Sequence, residues 1–173
     1  MKTIKIVGAY NWATETNKGK EKNDYSRVMI LALINQVKLR LKDHINSNLV
    51  KIFYTKLRAS AGSFVFFNIR DRILKSNFII FDITELNPNV MFELGVALAF
   101  KQDKNEGAKV LIVCQGKTFD ISKIPCDLHG YFISFYTIVN KKVTFHDNNS
   151  IVMRIVSDII EGLDINYTED EYK

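Results

Sequence analysis

Several familiar chemistries are excluded by what this sequence lacks. Its 173 residues contain two cysteines, three histidines and one tryptophan. Cys114 and Cys126 stand twelve apart, with no CxxC. That spacing makes neither a zinc site nor a disulfide framework, and two free thiols in a reducing compartment are expected. His44, His129 and His146 are far apart and have no metal-like partners, so no metal is expected. There is no GxSxG elbow for a serine nucleophile, no GxGxxG dinucleotide fingerprint and no GxxxxGK[ST] phosphate loop. No run of about 18 apolar residues implies a membrane span. The opening MKTIKIVGAY has no long apolar core of a leader peptide. No membrane partner and a cytoplasmic location are the expectations.

What remains is a globular composition: 47% hydrophobic residues, with 12 Phe and 7 Tyr. The length suits one domain over residues 1–165, followed by a frayed polar tail, 166–173. The net charge is +5, and the pI of about 9.1 admits nucleic acid. The lysines are scattered, however, with no stripe of arginine and aromatic residues. Nucleic acid therefore ranks below a small phosphorylated ligand, which a modest positive field would also attract.

Taken in order, Lys2–Val7 reads as a first strand ending in Gly8-Ala9-Tyr10. A polar loop over 11–24 follows, with Asn23 or Asp24 placed to cap a helix. In that helix Ile30, Ile34, Val37, Leu41 and Ile45 form a stripe at spacings of three and four. A second strand is expected over Leu49–Tyr54, and a helix from Phe64 or Phe66 to Lys75. Phe78–Ile83 and Lys109–Cys114 are near-continuous apolar strands of the kind buried on both faces. Asn87 is a good N-cap and Pro88 a good first helical residue for the segment between them. A fifth strand lies within Tyr131–Val139. A last helix, capped by Asn149 or Ser150, turns Ile151, Val152, Ile155, Val156, Ile159 and Ile160 to the core and stops at Gly162.

Strands alternating with helices imply a three-layer α/β sandwich around a parallel sheet. The expected form is flavodoxin-like, with five strands in the order 2-1-3-4-5. Its switch point between strands 1 and 3 is where ligands bind, at the carboxyl ends of the strands. That places Gly8, Ala9 and Tyr10, and the connection from Asp82 to Asn89, at the crevice. Trp12 lies just beyond, where it could stack on a base, although a buried anchor is the simpler role.

The segment Val90–Phe100 carries a single charge, Glu93. A helix apolar all round belongs in the interior, where a carboxylate is costly unless paired or facing a cavity. Glu93 is therefore the candidate catalytic residue, set against pairing with Arg70 or Arg72. Asn89 shares its face at i,i+4, and Gly95 in mid-helix is expected to mark a close approach. Asp82 could hold ribose hydroxyls or merely turn the loop; Asn87 and Asn89 could contact ligand or only shape the helix start.

The motif Asp82-Ile83-Thr84, Asn87-Pro88-Asn89-Val90, Glu93-Leu94-Gly95 and Ala97 resembles the nucleoside 2-deoxyribosyltransferase-like and TIR-like bacterial proteins. These form a flavodoxin-like superfamily. Ile124-Pro125-Cys126-Asp127-Leu128-His129-Gly130-Tyr131 is similar to a second segment of that group, with Cys126 where phenylalanine is common. The order of elements extends the resemblance over about residues 4 to 136, and its distinctive part is 78–98.

The resemblance implies that Glu93 is the catalytic carboxylate. In the transferases it attacks the ribosyl C1′, and in the TIR-like hydrolases it sits against the nicotinamide ribose of NAD. The transferases also use an aspartate shortly before that glutamate, and here Asn87 and Asn89 occupy the nearby positions. Nicotinamide in NAD is cationic and leaves neutral, so it needs no general acid. A site with one clear carboxylate suits it. The expectation is an N-glycosidase that uses NAD or a related nucleotide as substrate, with no cofactor, in bacterial antiphage immunity. A homo-oligomer or a partner protein would complete the system. The alternatives are a non-catalytic nucleotide-binding module and a deoxyribosyltransferase or nucleoside hydrolase of salvage.

Overall fold

The computed structural model describes residues 1–10, 25–46, 48–57, 65–104, 108–117, 124–147 and 150–163. The elements in order are β1 (Lys2–Ala9), α1 (Tyr25–His44), β2 (Val50–Lys56), α2 (Val65–Leu74), β3 (Phe78–Asp82), α3 (Pro88–Lys104), β4 (Lys109–Gln115), β5 (Ile133–Val139), β6 (Lys142–Phe145) and α4 (Ser150–Glu161). A single 3-10 turn covers Cys126–Leu128.

Side chains alternate across a strand, and that alternation builds two cores. Ile4 and Ile6, Phe78 and Ile80, and Leu111 and Val113 point to one face, where α1 and α4 cover them. Val7 and Ala9, Ile79 and Phe81, and Val110 and Ile112 point to the other, under α2 and α3. All five stripe residues expected on the first helix are buried, as are all six on the last. Two helical layers thus enclose a sheet whose third strand, Phe78–Asp82, is buried at every position.

The sheet has six strands in the order β2-β1-β3-β4-β5-β6. The first five are parallel to one another and follow the expected order. The expectation of five parallel strands is corrected by β6, which pairs antiparallel with β5. A two-residue turn makes the reversal: Asn140 and Lys141 have φ of 49° and 63° between the paired Val139 and Lys142. Two central residues with positive φ match the right-handed twist of the flanking strands. Asp147, just after β6, accepts hydrogen bonds at Oδ2 from Ser134 Oγ (2.6 Å) and from Ile151 N (3.2 Å). It therefore holds the first turn of α4, which begins at Ser150. Asn149 lies outside the described residues, as do Trp12, Asn23, Asp24 and the tail 166–173.

No helix of the described residues is long and apolar enough to cross a membrane. Both cysteines are free.

Candidate functional site

Asp82 and Gln115 end β3 and β4, Tyr136 of β5 stands level with Gln115, Tyr54 and Lys56 lie at the end of β2, and Tyr10 follows β1. Asp82 is 4% exposed. Its Oδ1 accepts the Thr84 amide (3.1 Å) and the Thr84 hydroxyl, and its Oδ2 accepts the Tyr136 hydroxyl (2.7 Å). The Thr84 oxygen in turn accepts the Gln115 amide at 2.8 Å. These bonds tie β3, β4, β5 and the β3–α3 connection into one knot. Burial, reinforced by the Asp82 charge, keeps the Tyr136 hydroxyl protonated far above its usual range. The Cys114 thiol is pushed up by burial and then by Asp82, against the pull of the Thr84 hydroxyl.

A second cluster lies at the ends of β1 and β2. Tyr10 is 3% exposed and packs in the α1 core. The Lys56 ammonium stands 3.9 Å from the centre of its ring, a cation–π contact. The Tyr54 hydroxyl donates to the Tyr10 hydroxyl at 3.4 Å. Gly8 is fixed by the same packing, because a Cβ there would stand 2.7 Å from Ile30 Cδ1 and 3.0 Å from the Tyr54 hydroxyl. Ala9 belongs to the opposite core. Gly8, Ala9 and Tyr10 thus act in this structure as packing residues.

The β3–α3 connection makes a turn closed by Leu86 N to Ile83 O (3.0 Å), with Leu86 at φ 47°. A leucine there is costly, and such strain gathers at sites where the surroundings over-determine the backbone. Asn87 follows as the N-cap. Its Oδ1 accepts the amides of Asn89 (3.0 Å) and Val90 (3.4 Å), and α3 begins at Pro88, as expected. The Asn89 side chain is exposed.

Over residues 88–100 of α3, one stripe is fully buried: Val90, Leu94 and Ala97, at 3%, 1% and 2% exposure. Phe92 is 54% exposed. Gly95 is exposed, and no described atom lies within 4 Å of where its Cβ would be. The expectation of an interior helix, with Gly95 closely approached, is corrected: α3 is an outer-layer helix whose solvent side is unusually apolar.

Glu93 sits in the second turn, between the two sides, and is half-buried. Beyond the first turn the helix dipole offers a carboxylate little. Burial raises its carboxyl from 4.5 to about 7. Among the described residues no ion pair involves Glu93. The alternative of pairing with α2 is not met: Arg70 lies by Asp71 (3.8 Å) and over the Phe67 ring, and Arg72 donates to Lys56 O (3.3 Å).

Asp82 and Glu93 are not brought together. Asp82 is engaged by Tyr136 and Thr84, and burial alone, with no share from the Asp82 charge, raises the Glu93 carboxyl. The fixed groups that sequence reasoning missed are Tyr136, Thr84, Tyr54 and Lys56. Tyr136 and Asp82 are 54 positions apart, and no local pattern joins them.

Among the described residues no group of His, Cys, Asp and Glu could hold a metal ion. No protein-family model matches the chain, and a search of curated proteins found no match.

Proposed function

We propose that the protein is an N-glycosidase of the TIR-like, flavodoxin-like kind, cleaving the nicotinamide–ribose bond of NAD or a related nucleotide. The observation that carries this reading is Glu93, a half-buried carboxyl without an ion pair among the described residues, raised to about 7 by burial alone. Perturbed acids of this sort concentrate at working sites. The engagement of Asp82 by Thr84 and Tyr136 supports a one-carboxylate chemistry. Base exchange on a neutral nucleoside would need a second acid.

In the proposed reaction the bond between ribosyl C1′ and the pyridinium nitrogen breaks, and its electron pair leaves with nicotinamide as a neutral base. The ionised Glu93 faces the cationic C1′ centre and stabilises or traps it. Water then adds to C1′ and loses a proton to solvent. Asn89, one turn before Glu93, would meet ribose hydroxyls. Bacterial antiphage signalling is the context that this reaction fits.

The test is incubation of wild type and Glu93→Gln with NAD, and separately with deoxynucleosides, followed by chromatography. Nicotinamide released by the wild type, and reduced about 10²–10³-fold in the variant, is the expected result. Free base from deoxynucleosides alone would assign a salvage transferase or hydrolase instead. Ligand binding without turnover would assign a nucleotide-binding module.

A further inference from the structure

We infer that the β6 edge of the sheet is a contact surface for a second copy of this chain, joined by antiparallel β6–β6 pairing about a two-fold axis at Thr144. The register of the hairpin supplies the first argument. His146 N donates to Phe135 O at 2.8 Å, one step beyond the Tyr136–Phe145 pair. Bonded and unbonded pairs alternate along an antiparallel ladder. Lys142, Thr144 and His146 therefore turn their backbone groups to β5, while Val143 and Phe145 turn theirs outward. Two outward residues separated by one are what a two-fold axis requires. Val143 pairs with the second copy's Phe145, Phe145 with the second copy's Val143, and Thr144 faces its own counterpart. Among the described residues this edge is open, and an open edge is a template for another strand; the contact is isologous and closes at a dimer.

The flank of the edge supplies the second argument. Between β6 and α1 runs a trough of about 510 Å³, lined by Leu39, Arg40 and Asp43 and by Val143, Thr144 and Phe145. Leu39 is 62% exposed. Arg40 and Asp43 carry opposite charges within one helical turn, and neither takes part in an ion pair among the described residues. The axis that pairs the strands also sets α1 antiparallel to its copy. Arg40 then faces the second copy's Asp43, and Asp43 the second copy's Arg40, which is a self-complementary pattern. The β2 edge differs: Arg72 donates to the Lys56 carbonyl there and covers the end of that strand.

The test is the oligomeric state of the full chain, by sedimentation velocity over a range of concentrations. Thr144 is exposed, so Thr144→Lys and Thr144→Asp should fold as the wild type does, which circular dichroism checks. The wild type should dimerise reversibly. Each variant alone brings like charges together at the axis and should raise the dimer Kd about tenfold or more. An equimolar mixture of the two should recover dimer. As a second arm, Arg40→Glu should weaken the dimer, and Arg40→Glu with Asp43→Arg should restore it. A wild type that stays monomeric overturns the inference, as does a dimer that Thr144→Lys leaves unchanged. An extended peptide that binds the edge of a monomeric wild type would assign the surface to a foreign strand instead.

Discussion

Replacing Glu93 by glutamine should make the protein more stable, and only above a defined pH. The folded state holds the Glu93 carboxyl at about 7, above its ordinary 4.5, because burial penalises the charge. Folding therefore favours the protonated form. The associated stability is fully present below about pH 4.5 and is lost as pH rises through about 7. The full displacement would correspond to about 3 kcal/mol. Glu93 is only half-buried, and solvent screening reduces the figure to about 1–2 kcal/mol. Glutamine is neutral at every pH and matches the protonated acid in shape. The variant should gain about 1–2 kcal/mol over wild type near pH 8, or about 3–8 °C in Tm, and nothing near pH 4.5. Urea unfolding of both proteins at the two pH values measures the difference, and the other titrating groups cancel between them. A variant less stable than wild type near pH 8 would refute the reasoning, because it would mean that the carboxylate is held by a favourable partner.

Four further outcomes follow from the same structure. If the ionised Glu93 performs the chemistry, kcat/KM for NAD should rise with pH through about 7 and then level, which initial rates across that range would show. Tyr136→Phe removes the donor to Asp82 Oδ2 and should cost about 1–3 kcal/mol in denaturant unfolding. Gly8→Ala forces a Cβ against Ile30 and Tyr54 and should cost about 1–3 kcal/mol. Lys141→Gly relieves a positive φ in the β5–β6 turn and should raise stability by about 1 kcal/mol, read as a higher Tm.

The layers of the fold were legible because their signals are periodic and local. The α1 stripe through Ile30, Ile34, Val37 and Leu41 has only one helical reading, and Phe78–Asp82 is apolar enough to require two covered faces. Asn87-Pro88 announces a helix start by chemistry that needs no tertiary context. β6 was missed because it is four residues long and its turn is Asn-Lys, without the glycine that usually marks such a hairpin. The Asp147 contact with α4 was missed because its side chain reaches past two residues and is fixed by Ser134 on β5. At the candidate site, Glu93 stood out as the one charge in an apolar run, but its surroundings did not. Single-stripe burial of α3 cannot be read from a segment whose solvent side is also apolar. The engagement of Asp82 depends on Tyr136, which lies 54 positions away on a distant strand.

The Gln115 amide bonds the Thr84 hydroxyl at 2.8 Å, and that acceptor belongs to the connection leading into α3. Its solvent exchange is thus governed by whether the Thr84 loop is docked. Hydrogen–deuterium exchange at this one amide becomes a clock for loop opening, readable without substrate. The neighbouring β4 amides, closed by backbone partners, supply the internal standard for global unfolding.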